Sequence, residues 1–325
     1  MKGFSNKHGG RKSTYTLKVQ AGKPYDIELD FEYLRSDAQL NFDLGFKKEV
    51  DIKKSVEMVK DADVVVFAGG ISPSLEGEEM GVNLPGFKRG DRTDIELPAV
   101  QRELIVALHR AGKKVILVNC SGSPIGLEPE AKECEAILQA WYPGQAGGTA
   151  VAEVLFGDYN PAGRLPMTFY RNVSQLPDFE DYNMTGRTYR YMSQEPLFPF
   201  GYGLSYTTFE YGQMTLSSDK ISIGQTLKLT VPITNTGKRD GEEVVQVYLR
   251  KHNDADGPNK TLRAFKRVNI PVGKTVNIEF DLKDKELEWW DTASNTVRVC
   301  AGNYDVMVGS SSQTEDLLLH SFTIQ

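Results

Sequence analysis

The chain has 325 residues, a length that favours two or three compact units, each large enough to bury a core. Its content of 40% hydrophobic and 25% charged residues is typical of a globular protein and excludes a disordered one. The formal net charge of −6 comes from acidic residues scattered among lysines and arginines, without the basic face that nucleic acid requires. No stretch approaches a membrane span, so neither nucleic acid nor a membrane is an expected partner.

The first expected elements are strands. Residues 14–45 alternate apolar and polar positions in "YTLKVQ", "YDIELDFEY" and "AQLNFDLGF", which are separated by turn-forming residues. Two or three strands make at best a marginal fold alone, because both faces of so small a sheet cannot be covered. Residues 1–48 are therefore predicted to be the end of a β-sandwich whose beginning is missing.

From about residue 50 helices and strands alternate. The apolar runs "DVVVFAGG", "KVILVNCSG" and "AILQAWYPG" are predicted strands, with amphipathic helices between them. One helix is expected to begin near Pro98 and end at Gly112, and another to end at Gly157. This order predicts βαβ units and a mostly parallel sheet, an α/β sandwich of flavodoxin-like type over residues 49–170.

The last third of the chain has a different pattern. Residues 171–208 contain turn formers and many aromatic residues, which indicates a packed connector and not a flexible linker. After residue 209 every regular segment alternates as a strand, so residues 209–325 are predicted to form a β-sandwich of immunoglobulin or fibronectin type III kind. We expect this sandwich to have a supporting role.

The loop after the first predicted strand is the first candidate for a site. It runs from Ile71 to about Leu97, where two to six residues are usual, and ligands bind beyond the carboxyl ends of strands in α/β sheets. Acidic loops are commonly solvated, so the residues alone do not select one carboxylate. The loop carries Glu76, Glu78, Glu79, Asp91, Asp94 and Glu96.

Other kinds of site lack their signatures. The phosphate-binding patterns GxxxxGK and GxGxxG are absent after the first strand, which disfavours a flavodoxin-like cofactor domain, and no cofactor is expected. The four histidines and the three cysteines have no triad or metal-ligand spacing. Ser121 and Ser123 are interpreted as turn formers. Trp141 and Tyr142 follow a strand, where burial against a neighbouring domain is favoured over stacking on a sugar.

Several motifs together resemble one family. "DADVVVFAGG", the acidic loop ending in "GDR", "KKVILVNCSGSPI", "AILQAWYPGQAGGTAVAEVLFGDYNPAGRLPMTF" and "FPFGYGLSYTTF" are similar to the C-terminal region of family 3 glycoside hydrolases, over residues 50–325. The resemblance implies a barrel domain, an α/β sandwich and a fibronectin type III-like domain, acting on β-linked sugars with retention. It also implies that residues 1–48 end a protective-antigen-type insert.

The resemblance further implies a division of the catalytic groups. The family's nucleophile is an Asp on the barrel, which nothing in this chain matches, and its proton donor is a Glu in the loop after an early α/β strand. The family pattern falls on Glu76. Glu78 is the alternative. We therefore expect a retaining, exo-acting β-glucosidase or β-xylosidase that lacks its barrel and is inactive alone.

A second hypothesis is a non-catalytic carbohydrate-binding or structural module, in which the glutamate loop is merely solvated. The expected partners are the missing barrel domain and a β-linked oligosaccharide or aryl glycoside. The N-terminus has no apolar h-region and is not a predicted signal peptide. An export signal would lie upstream if the full-length protein is periplasmic or secreted. The sugar, the linkage and the oligomeric state stay open.

Overall fold

The computed structural model describes residues 15–30, 42, 44–45, 48–76 and 80–325. The chain divides into a unit of residues Met1–Glu49 and a unit of residues Val50–Gln325.

The smaller unit differs from the sequence prediction. Residues 15–30 form one turn at residues 21–22 and no strand, so the strands predicted there are wrong. The alternating side chains of Leu17, Val19, Ile27 and Leu29 remain at least half exposed. A strand is stabilised by hydrogen bonds to a neighbouring strand and by burial of one face, and residues 15–30 have neither. The third predicted strand lies mostly outside the described residues.

The larger unit begins with alternating helices and strands. In chain order its first elements are α1 (Ile52–Met58), β1 (Val64–Gly70), β2 (Asn83–Leu84), β3 (Phe87–Lys88), β4 (Asp91–Arg92), α2 (Ala99–Arg110), β5 (Lys114–Cys120), α3 (Glu128–Glu133), β6 (Ala136–Gln139) and α4 (Gly147–Phe156).

The three longer strands form a parallel sheet in the order β1-β5-β6. Val64 pairs with Lys114, and Ile116 pairs with Ala136. One face of this sheet contributes Val115 and Leu117, both fully buried, to a core shared with α2. The parallel α/β architecture predicted from the sequence is confirmed.

Local chemistry determines where the two long helices begin and end. Pro98 is the residue before the first turn of α2, where its missing N–H is not needed, and Gly112 follows the helix with φ of +77°. Gly157 ends α4 in the left-handed conformation, with φ of +82°. Both helices therefore end at the glycines that the sequence indicated.

The rest of the chain contains one short helix before the strands and one among them. These elements are α5 (Thr188–Tyr191), β7 (Phe209–Tyr211), β8 (Thr215–Leu216), β9 (Lys220–Ile221), β10 (Leu227–Asn235), β11 (Gly241–Lys251), β12 (Thr261–Ile270), β13 (Thr275–Leu282), α6 (Asp284–Leu287), β14 (Glu288–Asp291), β15 (Thr296–Val299), β16 (Gly302–Gly309) and β17 (Leu318–Ile324).

Two of the resulting sheets face each other across one apolar core. The order is β13-β10-β7 in one sheet, with β8 also paired to β10, and β12-β11-β16-β17-β9 in the other. Leu229 and Ile278 from the first sheet and Val247 and Tyr304 from the second lie in the same buried cluster. The predicted β-sandwich is confirmed. Among the described residues, no helix has both the length and the apolar character to cross a membrane.

Candidate active site

The long loop after β1 is partly ordered by a small antiparallel sheet. Its three two-residue strands have the order β2-β3-β4, and Arg89 and Gly90 at the second turn have φ of +55° and +89°. Phe87 on β3 pairs with Arg92 on β4. This meander returns the chain toward the carboxyl edge of the parallel sheet. The sequence indicated a long loop here but not these strands.

Arg92 is held in one orientation by the main chain that follows it. Its Nε donates a hydrogen bond to the carbonyl oxygen of Asp94 at 2.9 Å, and its Nη2 donates to that of Glu96 at 3.2 Å. The guanidinium lies 5.9 Å from the centre of the Phe87 ring. Burial lowers the pKa of Arg92, and the carboxylates of Glu76 and Asp94 oppose that shift. Its Nη1 donates to Ser123 Oγ at 3.1 Å and lies 3.9 Å from Glu76 Oε1.

Glu76 is where three loops of the α/β sheet meet. Its Oε1 accepts a hydrogen bond from Ser123 Oγ, in the loop after β5, and lies 3.9 Å from Arg92 Nη1. Its Oε2 lies 3.5 Å from the hydroxyl of Tyr142, in the loop after β6. Only 21% of its side chain is exposed. The carboxyl group is therefore partly shielded, and it lies at the sheet edge where α/β proteins bind ligands.

Tyr142 is fixed by a contact of its own. Its hydroxyl donates to the carbonyl oxygen of Ile71 at 2.8 Å, and its ring covers Gly122, where a Cβ would lie 2.5 Å from the ring. Partial burial raises the pKa of Tyr142, and the Glu76 carboxylate adds to the shift. The phenol keeps its proton and donates a hydrogen bond to the Ile71 carbonyl oxygen at 2.8 Å, so its contact with Glu76 Oε2 at 3.5 Å is weak.

The residues that the sequence singled out differ in where the structure places them. Glu76 lies in the cluster just described, whereas Glu78 lies outside the described residues. The side chain of Glu96 forms an ion pair with Arg102. Trp141 has φ of +56° and packs edge-on against the Phe169 ring at 6.1 Å, within the predicted α/β domain and not against a neighbouring one. Tyr142 is 43% exposed, so the burial favoured for it is wrong.

Three residues of this site were not recognised from the sequence as functional. Arg92 belonged only to a family motif, Ser123 was interpreted as a turn former, and Tyr142 as a packing aromatic. A common signal was available: Ser123 and Tyr142 each follow the carboxyl end of a parallel strand, as Glu76 does. Among the described residues, no group of three histidine, cysteine, aspartate or glutamate side chains is arranged to hold a metal ion.

Comparison with known proteins gives the family. Residues 6–206 match the glycosyl hydrolase family 3 C-terminal domain, and residues 243–312 match the fibronectin type III-like domain. A xylan 1,4-β-xylosidase of Xylanibacter ruminicola is 51% identical over 95% of this chain and 36% of its own length. A β-xylosidase of Formosa agariphila is 36% identical over 98% of this chain and 45% of its own length.

A solved structure agrees with these relatives. A β-glucosidase from Erythrobacter marinus superposes with a TM-score of 0.74 at 38% identity, over 84% of this chain and 36% of that one. The chain thus spans less than half the length of each of these proteins. On the two domain matches and the shared fold, the chain belongs to glycoside hydrolase family 3 and carries that family's C-terminal domain together with a fibronectin type III-like domain.

Proposed function

We propose that this chain supplies the general acid/base of a retaining, exo-acting β-glycosidase, and that Glu76 is that residue. The observation that carries the proposal is the position of its carboxyl group, partly shielded at the carboxyl edge of the parallel sheet and contacted by Ser123 and Arg92. Glu78 is the alternative, because it lies two residues further along the same loop.

The reaction requires a second carboxylate. In a retaining glycosidase the nucleophile attacks the anomeric carbon while the acid gives its proton to the departing glycosidic oxygen. Water then attacks the glycosyl intermediate, releases the nucleophile and returns a proton to the acid/base. The two carboxyls must lie about 5–5.5 Å apart. Because the chain spans only 36% and 45% of the length of the two xylosidases it resembles, we assign the nucleophile to a barrel domain outside this chain.

An exposed sheet face supports a partner domain. Parallel sheets are ordinarily covered on both faces, but Val64 and Val66 of β1 are 44% and 51% exposed. They project to the face opposite Val115 and Leu117, which are buried under α2. We propose that the missing parts of the enzyme cover this face. Within the chain, we propose an α/β domain over residues 49–170, a connector over 171–208 and a supporting sandwich over 209–325.

The substrates follow from the relatives. The 51% identical protein is a xylan 1,4-β-xylosidase and the similar solved structure is a β-glucosidase. We therefore propose β-linked xylosides and glucosides as the substrate class, with no cofactor.

The experiment compares variants of the chain assembled with a family 3 barrel. Glu76→Ala is expected to slow natural oligosaccharides about 10²–10⁴-fold, the usual contribution of general acid/base catalysis. Activated aryl glycosides should suffer much less in the glycosylation step, because their leaving groups need little protonation. Added azide should restore turnover by attacking the glycosyl intermediate without base assistance.

Two further variants complete the test. Glu57→Ala is the matched control, because Glu57 is an exposed residue of α1 that pairs with Lys60. If Glu76→Ala left turnover unchanged and Glu78→Ala abolished it, the role would pass to Glu78. Unchanged turnover in both variants would favour a non-catalytic module.

A further inference from the structure

Beyond this assignment, we propose that Ser123 is a positioning residue for Glu76: its hydroxyl links the Arg92 guanidinium to Glu76 Oε1 and leaves Oε2 as the oxygen that transfers the proton. The catalytic meaning of this inference rests on the proposed role of Glu76. The hydrogen bonds that connect Arg92, Ser123 and Glu76 are observed whatever that role is.

The hydroxyl of Ser123 lies between the two charged groups. Arg92 Nη1 donates to Ser123 Oγ at 3.1 Å, and Ser123 Oγ donates in turn to Glu76 Oε1. The direct separation of Arg92 Nη1 from Glu76 Oε1 is 3.9 Å, too long for a hydrogen bond. The close contact between the cation and the carboxyl group therefore passes through the serine.

The loop that carries Ser123 is anchored in the core of the sheet. Ser121 Oγ donates to the carbonyl oxygen of Ser123 at 2.9 Å, and Asn119 Nδ2 donates to Ser121 Oγ at 3.1 Å. Asn119 also donates to Gln139 Oε1 on β6 at 2.7 Å. Asn119 and Ser121 are completely buried. This packing fixes the Ser123 backbone relative to β5 and β6, as precise placement of a reacting group requires.

The arrangement distinguishes the two oxygens of Glu76. Oε1 accepts from Ser123 whether the carboxyl is ionised or protonated on Oε2. Oε2 faces the Tyr142 hydroxyl at 3.5 Å, and that hydroxyl already donates to Ile71 at 2.8 Å. A proton on Oε2 therefore costs no hydrogen bond, whereas a proton on Oε1 would compete with Ser123. The same contacts stabilise the carboxylate that remains after the proton has been given away.

The first test uses the chain alone and needs no turnover. The Glu76 carboxyl carbon is observed by NMR at neutral pH in glutamate-labelled protein, with its signal assigned by its loss in Glu76→Gln. Ser123→Ala is expected to shift this signal, because the carboxyl group loses the hydrogen bond that Ser123 donates to Oε1.

Two variants separate this effect from a general disturbance. Ser123→Thr keeps the hydroxyl and should leave the Glu76 signal near its position in the parent. Ser74→Ala removes an exposed hydroxyl from the loop that carries Glu76, one that contacts Ser72, and should also leave the signal unchanged. A folded Ser123→Ala chain, shown by its near-ultraviolet circular dichroism, whose Glu76 signal coincides with that of the parent would overturn the proposal.

The second test uses the chain assembled with a barrel. Ser123→Ala should lower kcat with KM nearly constant, and Ser123→Thr should restore kcat. A normal kcat for Ser123→Ala beside an inactive Glu76→Ala would refute the inference and leave the proposed function intact. A shifted NMR signal beside a fully active Glu76→Ala would refute the proposed function and leave the positioning contact intact.

Discussion

At the scale of single residues, Gly70 shows how closely the two central strands approach. It ends β1 with φ of +134°, and a Cβ there would lie 1.9 Å from the carbonyl oxygen of Cys120 on β5. That oxygen also accepts a hydrogen bond from Ile71 N at 3.0 Å. Since the obstacle is backbone in a paired strand, rotation of a side chain cannot relieve it.

We therefore expect Gly70→Ala to destabilise the chain by about 3 kcal/mol, from backbone strain and overpacking of about 1–3 kcal/mol each. Urea unfolding followed by circular dichroism measures the loss. Gly148→Ala is the matched control, because a Cβ at Gly148 in α4 meets nothing within 4 Å. It should be neutral or stabilising by up to about 1 kcal/mol. Equal losses in both variants would contradict this account of Gly70.

The residue scale also shows what the sequence could and could not predict about the site. Glu76 was selected by its motif, but Ser123 and Tyr142 lie 47 and 66 residues away from it in the chain. That they lie at the same sheet edge follows from the strand pattern. Which hydroxyl faces which oxygen depends on the loop backbone, including positive φ at Arg89 and Trp141, and no local pattern encodes that.

At the scale of elements, a buried ion pair fastens the segment after α4 to the sandwich. Arg164 Nη2 contacts Glu243 on β11 at 2.8 Å, and Tyr211 on β7 donates to the same carboxylate at 3.0 Å. The side chains of Arg164 and Glu243 are 8% and 2% exposed. Burial raises the pKa of Glu243, and Arg164 beside it opposes the shift.

Arg164→Met should cost about 3–5 kcal/mol at neutral pH, because it leaves the Glu243 carboxylate buried without its partner. The double variant with Glu243→Met should recover most of that loss. Because burial raises the folded-state pKa of Glu243, its protonation stabilises the folded chain; this contribution is fully present below the unfolded pKa of 4.5 and is lost as pH rises through the folded pKa. Removing Arg164, which opposes the shift, leaves a carboxyl group that is tolerated when protonated and costly when ionised. The destabilisation by Arg164→Met should therefore be smaller at pH 4.5 than at pH 7.

Urea unfolding at the two pH values measures the difference. Arg298→Met is the control, since Arg298 is 60% exposed beside Asp291 and an exposed pair contributes little to stability. A loss for Arg164→Met no larger than that of the control would show that the buried pair is not needed. A larger loss that does not change with pH would show that the charge of Glu243 is not its cause.

Elements also differ in how well the sequence predicted them. The bounds of α2 and α4 were predicted because Pro98, Gly112 and Gly157 act locally. The two-residue strands β2, β3 and β4 were missed because they are too short to show alternation. The alternation in residues 15–30 suggested strands that are not formed, since a strand depends on partners that the pattern does not reveal.

At the scale of the whole molecule, the two halves of the larger unit differ in where their apolar residues lie. The core of the β-sandwich lies between its two sheets, where Leu229, Val231 and Val247 are fully buried. The parallel sheet packs Val115 and Leu117 against α2 on one face, while Val64 and Val66 on the other remain exposed. Since parallel sheets are ordinarily covered on both faces, this exposed face is the surface on which we propose that the rest of the enzyme packs.

The last prediction follows from the proposal that the nucleophile lies outside this chain: the chain alone should not hydrolyse aryl β-xylosides or β-glucosides at a useful rate. General acid/base assistance contributes about 10²–10⁴-fold, whereas enzymes usually reach about 10⁶-fold or more, so Glu76 without a nucleophile leaves most of the barrier in place. The assay incubates purified chain with each aryl glycoside, alone and with a separately expressed family 3 barrel. Turnover should appear only in the mixture and should depend on Glu76. Robust turnover by the chain alone, lost on replacing a carboxylate within it, would mean that this chain contains its own nucleophile.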